Sequence, residues 1–244
     1  MGRLPNDRKY LLVKSQALWT ARTFLGLTLQ EVPDFDISYI SKIENGLVNI
    51  GDSTFLKKIA IYELGASDYE ILKEIYLNYE KIDLKKRKLM INYATAICLE
   101  TALNNNEDSL SSLIVDKTNQ EEFFDDKEII GNILRIIRQL HKHYRRELGV
   151  LTGIDRRTID DIENGEIDNN KNVISLLEVY SLTEHDLDIL KIIFVDCYEK
   201  NYNDYLFRVI IKKKILEYIL LKHDIEKEVY EIKKYVKKRL KTCS

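Results

Sequence analysis

The segment IIRQLHKHYRRELGVLTGIDRRTIDDIENG, residues 136–165, has a shorter relative earlier in the chain, ARTFLGLTLQEVPDFDISYISKIENG, residues 21–46. Ile43-Glu44-Asn45-Gly46 returns as Ile162-Glu163-Asn164-Gly165, an offset of 119. Arg22 returns as Arg138, an offset of 116, and DYEILKEIY (68–76) returns as DLDILKIIF (186–194), an offset of 118. Three anchors in one order, with offsets within three of each other, mark a duplicated unit of roughly 105–115 residues.

The local signals in both copies are helical. Leu11, Ala17, Leu18, Ala21 and Leu25 form an apolar stripe at helical spacing, as do Ile133, Leu134, Ile137 and Leu140. A short helix, a turn and a second short helix follow in each copy. Asp36 and Asp155 stand where an N-cap belongs, ahead of ISYISKIENG and RRTIDDIENG. Asn-Gly then stops the helix, because Gly takes the left-handed conformation freely. A further helix is expected over 53–64 and 171–181, with helical extensions over 68–103 and 184–240.

Residues 136–165 resemble the Cro/C1-type (XRE) helix-turn-helix family. The match lies in Arg138 on helix 1, Leu148-Gly149 on helix 2, Gly153 at the turn and Glu163-Asn164-Gly165 closing helix 3. The first copy is similar through Arg22, Leu27, Thr28, Val32, Ile40 and Glu44. The resemblance covers roughly residues 8–65 and 130–183. It implies an all-α chain with two lambda-repressor-like helix-turn-helix domains, each with a C-terminal helical extension. The domains fall at 1–103, an acidic linker at 104–129, and 130–244 with a basic tail helix. It also implies a partner, double-stranded DNA, whose major groove admits helix 3. By resemblance Arg156 and Arg157 read bases and Arg145 contacts a phosphate. Ile37, Ser38 and Lys42 hold the corresponding places in the first copy. Arg22 with Glu44, and Arg138 with Glu163, are the structural salt bridges.

Asp160 and Asp161, and loops after Glu-Asn-Gly that are not basic (LVN and EID), oppose strong DNA binding, and a shortened first copy puts its docking geometry in question. Arg22 to Glu44 spans 22 positions against 25 for Arg138 to Glu163, so three residues are missing near Pro33-Asp34. Pro33 lacks a backbone donor and disfavours helix before it, so helix 2 is cut short or its turn rebuilt. Asp160 and Asp161 also put negative charge on the second copy's reading helix.

Composition agrees with an all-helical chain. Its 244 residues include nine Gly and two Pro, too few for the turns of a β protein. The net charge is −2, yet residues 105–130 hold eight acidic and two basic side chains, while residues 211–244 hold 11 basic and five acidic. A short helix is expected near Leu110–Val115 within the linker. Cys98, Cys197 and Cys243 show no paired spacing and read as free thiols. MGRLPNDRKY lacks a leader's apolar run, and no stretch is long enough to span a bilayer, so a cytoplasmic protein is expected. His141 and His143, two apart on a helix, point to different faces, and no metal site or cofactor is expected. No phosphate loop, nucleophile elbow or zinc spacing is present, so the chain is not read as an enzyme.

Ile225, Val229, Ile232, Val236 and Leu240 give the tail helix one apolar stripe opposite a lysine-rich face. Packing on its own domain, homodimerisation through the C-terminal helices and a membrane-surface role are the alternatives. The expected function is sequence-specific transcriptional regulation, as a repressor in preference to an activator, by a tandem pseudo-dimer. The alternative is a degenerate helix-turn-helix protein that binds a regulatory protein or peptide, such as an antitoxin, antirepressor or peptide-sensing adaptor.

Overall fold

In the computed structural model, described for residues 10–32, 36–105, 125–200, 204–222 and 225–243, every regular element is helical. The chain is therefore all-α. It divides into two compact units, residues 1–113 with 203–244, and residues 114–202. The expected linker helix near Leu110–Val115 lies outside the described residues.

The first unit contains α1 (Leu11–Leu25), a 3-10 turn (Leu29–Glu31), α2 (Ile37–Glu44) and α3 (Asp52–Ile59). A second 3-10 turn (Ala60–Tyr62) leads to α4 (Ala66–Asn78) and α5 (Leu84–Asn105). The helical extension expected over 68–103 consists of these last two helices, separated between Asn78 and Leu84. Nearly all of α1 from Val13 to Ala21 is buried, and so is α5 from Leu89 to Leu99. A helix buried all round needs partners on every side. Two of the polar groups carried inward with α1 are bonded across the unit. Lys14 Nζ donates to the Ile50 carbonyl at 2.6 Å and pairs with Asp52 at 2.7 Å. The Thr20 hydroxyl donates to Asn92 at 2.9 Å.

The missing partners come from the chain's far end. Residues 184–244 were expected to extend the second half, but α11 (Asp204–Lys222) packs on α1 and α5, and α12 (Glu226–Cys243) packs on α4 and α5. On α11, Leu206, Val209, Ile210, Ile211, Ile215, Leu216, Ile219 and Leu220 are buried. The α12 stripe of Ile225, Val229, Ile232 and Val236 is buried too, so the first unit has already used the face that a dimer would need. The attachment is also electrostatic. Lys212 Nζ donates to the Thr23 carbonyl at 2.5 Å, placing a cation where the α1 dipole is negative.

The second unit contains α6 (Asp126–Leu140), α7 (Arg145–Thr152), α8 (Arg156–Glu163), α9 (Asn170–Glu178) and α10 (Glu184–Tyr198). Asp125 caps α6 through the Glu128 amide at 2.9 Å, and Ile133, Leu134, Ile136, Ile137 and Leu140 fill the core. Gly131 lets α6 pass the end of α8, since a Cβ there would meet the Ile162 and Glu163 carbonyl oxygens at 2.5 and 2.8 Å. No described helix is long and apolar enough to cross a membrane.

Candidate nucleic-acid interface

One construction closes the first helix of both units. In the first, the Leu27 amide donates to the Arg22 carbonyl at 3.0 Å and the Gly26 amide to Thr23 at 3.1 Å, with Gly26 at φ +79°. In the second, His143 donates to Arg138 at 3.1 Å and Lys142 to Gln139 at 2.9 Å, with Lys142 at φ +56°. Both are Schellman closures. The same arginine then grips the loop with its side chain. Arg22 Nη1 donates to the Leu27 carbonyl at 2.7 Å, and Arg138 Nη1 to the His143 carbonyl at 3.1 Å.

From that anchor each arginine reaches the end of the third helix. Arg22 Nε and Nη2 lie 2.7 and 2.6 Å from the two Glu44 oxygens. Arg138 makes the same contacts with Glu163 at 2.6 and 2.8 Å. Both ion pairs read from the sequence are therefore formed. Both expected N-caps are in place as well. Asp36 accepts from the Tyr39 amide at 2.7 Å, and Asp155 from the Arg157 amide at 2.8 Å.

Between anchor and clamp the units part. The second has two full turns of helix in α7, and Gly153 at φ +74° ends it. The first has the single 3-10 turn at Leu29–Glu31, closed by the Thr28 amide donating to Glu31 at 2.6 Å. Helix 2 is thus truncated where the sequence is three residues short; Pro33 and Asp34 themselves lie outside the described residues.

The charges on the two outer faces differ accordingly. In the second unit Arg156 and Arg157 are exposed at the start of α8, and Arg146 is exposed at the start of α7. Among the described residues no ion pair or hydrogen bond engages their guanidinium groups. A concavity of about 440 Å³ opens between these helix starts, lined by Arg138, Tyr144, Arg145, Arg146, Glu147 and Arg156. Arg145, assigned by resemblance to a phosphate, is turned inward. Its Nε donates to Glu163 at 2.9 Å, and its Nη2 lies 2.8 Å from Asp160. Adjacent helical positions point about 100° apart, so Arg146 takes the outward direction that Arg145 was expected to hold. The Asp160 charge, expected to repel phosphate, is offset by Arg145.

The first unit offers no arginine at the matching places. Ile37 and Ser38 stand where Arg156 and Arg157 do, and both are exposed, as is Lys42. Tyr39 and Leu47 add exposed apolar surface, Leu47 at 76%. Lys42 is the cation on the outer side of α2.

His141 and His143 are not on one helix, as α6 ends at Leu140. The reversal at Lys142 brings both rings onto Tyr180, with centroid distances of 4.7 and 5.6 Å. His143 Nδ1 is 3.3 Å from the Tyr180 hydroxyl. Burial raises the Tyr180 phenol well above its ordinary pKa, so this cluster holds the loop below α7 with an un-ionised hydroxyl. Sequence spacing did not reveal it, because the helix was expected to continue. Arg146 and Tyr144 also escaped the sequence reading, although the run Tyr144-Arg145-Arg146 at a helix start was a signal for them.

No protein-family model, curated protein or solved structure matches the chain.

Proposed function

We propose that the chain is a sequence-specific DNA-binding regulator, acting as a repressor, and that the second unit carries the reading face. One observation supports this above others: Arg146, Arg156 and Arg157 are exposed without counter-ions beside a concavity, while Glu163 holds Arg138 and Arg145 just behind them. Uncompensated arginines on two helix starts suit a polyanion. The planar guanidinium can also bond guanine through two donors, which a lysine cannot match. In this reading α7 and α8 form a helix-turn-helix of the Cro/C1 type. Arg156 and Arg157 face base edges, and Arg146, at the dipole-positive start of α7, faces a phosphate. The tandem pseudo-dimer narrows to one strong head per chain. Selection of bound sequences from a random DNA pool tests the reading: recovery of a defined motif is expected, and a pool without enrichment overturns it.

A second reading applies to the first unit. With Ile37, Tyr39 and Leu47 exposed and no arginine, its outer face suits a protein surface better than phosphates. Ile37→Asp with Leu47→Asp leaving DNA affinity intact would favour this over a second, weaker DNA head.

A further inference from the structure

The cations of α12 fall into two groups. Those turned toward the bundle are matched: Lys233 Nζ lies 3.0 Å from Glu217, and Arg239 Nη2 lies 2.9 Å from Glu74. Three of those turned outward are not. Lys234, Lys237 and Lys238 are exposed, and no ion pair or hydrogen bond engages them among the described residues. Residues 233–241 hold six cations and no acidic side chain.

Ordinary helix physics does not account for this group. A helix dipole favours cations only within its last turn, which explains Lys241 but not the three lysines before it. Acids four residues away are absent, and Glu231, three before Lys234, accepts from the Tyr79 hydroxyl at 3.3 Å. Lys234 and Lys238, and likewise Lys233 and Lys237, are instead like charges at the spacing where they repel. A membrane-surface helix would need an exposed apolar face, and Ile225, Val229, Ile232 and Val236 are buried. Among the described residues nothing supplies the attraction, which is therefore electrostatic and directed at a polyanion.

We infer that the outer face of α12, through Lys234, Lys237 and Lys238, is a second DNA-contact surface that binds backbone phosphates without reading sequence. This rests on the reading of the chain as a DNA-binding protein. The choice of cation favours DNA phosphates as the partner. The second unit presents arginines, whose fork suits base edges, whereas α12 presents lysines, compact point charges on flexible stems that suit phosphates in any register. The surface also gives the first unit a route to DNA, which its arginine-free α2 does not offer. It adds affinity and salt dependence and leaves specificity to α8.

The test uses the full chain, with Lys234→Gln, Lys237→Gln and Lys238→Gln combined, beside a separate Arg156→Ala, Arg157→Ala protein. Each is titrated with selected-site and random DNA over a salt series, and circular dichroism checks that the helices persist. The lysine variant should weaken on both DNAs by the same factor and keep its preference. Its slope of log K against log salt should fall by about 2–3, near 0.9 per lost phosphate contact. Restoring charge as Arg at the three positions should restore the slope. An unchanged slope, with wild-type binding and the arginine effect intact, overturns this inference alone. Loss of binding to phosphatidylserine vesicles with no change on DNA also overturns it. Wild type that binds no DNA, or an arginine variant with unchanged preference, overturns the reading beneath it.

Discussion

Glu163 receives two arginines, Arg138 at 2.6 and 2.8 Å and Arg145 at 2.9 Å, and its counterpart Glu44 receives Arg22 at 2.7 and 2.6 Å. The carboxylate is 1% exposed and has almost no water to fall back on. Removing one partner of a buried pair costs about 3–5 kcal/mol, mainly because the other charge is stranded. Glu163→Ala strands Arg138 and leaves Arg145 with Asp160 alone, so two guanidinium groups lose a partner, whereas Glu44→Ala strands Arg22. Glu163→Ala is therefore expected to lower stability at the upper end of that range, and Glu44→Ala at the lower end. Urea unfolding followed by amide exchange, which separates the units, checks the order.

The outward arginines should divide by role. Arg156→Ala and Arg157→Ala are each expected to cost about 1–3 kcal/mol on the selected site and to relax base preference. Arg146→Ala should weaken all sequences alike and lower the salt slope by about one. Fluorescence anisotropy with the selected site and its single-base variants separates these outcomes. A change in preference from Arg146→Ala would make it a reader and undo the assignment.

What the sequence revealed was local, and what it hid was complementarity over distance. Asp36, Asp155, Gly46 and Gly165 act through hydrogen bonds within a few residues, so their roles show in spacing alone. Arg22 with Glu44 and Arg138 with Glu163 were legible because the repeat displayed the pair twice. The tail was not. At the repeat's offset α11 falls where α5 does in the first copy, so both the repeat and chain order attach it to α10. Its partners, α1 and α5, are about a hundred residues or more away. The inward turn of Arg145 was hidden for a related reason: one position on a helix changes a side chain's direction, and resemblance does not fix register that finely.

Lys142 occupies the left-handed closure that Gly26 fills in the first unit. A side chain in that conformation costs roughly 1–2 kcal/mol. Lys142→Gly relieves that cost but adds freedom to the unfolded chain, worth about 0.4–1 kcal/mol. The net expectation is stabilisation by about 0.5–1 kcal/mol in thermal unfolding. Gly26→Ala runs the opposite way by the conformational cost, since the side chain its Cβ would meet, the flexible end of Arg208, can move aside.

Asp52 gives the first unit a signature in acid. Burial pushes its carboxyl up, but the Lys14 ammonium at 2.7 Å and the Tyr69 hydroxyl, donating at 3.0 Å, outweigh it and hold the pKa below the usual value. A depressed acid contributes stability that is fully present above its unfolded pKa, about 3.9. That contribution is lost as pH falls through the lower folded value. Asp52→Asn should therefore flatten the acid limb of the stability profile below about pH 4. An unchanged limb would show that the pair contributes nothing to acid sensitivity.

Ending the chain after Tyr202 separates the two ways of dividing it. If 184–244 extended the second half, truncation would damage that half. In the structure α11 and α12 complete the first unit instead. Eight large apolar side chains of α11 are buried there. Each contributes about 1.5–3 kcal/mol on burial. Their sum, about 12–24 kcal/mol, is as large as or larger than the roughly 5–15 kcal/mol by which a domain is stable. The truncated chain should therefore lose exchange protection throughout α1 and α5, while α6, α8 and α10 keep theirs. It should also retain selected-site preference, since Arg156 and Arg157 stand on a unit that the cut leaves whole. Protection retained in α1 would overturn the assignment of the tail to the first unit.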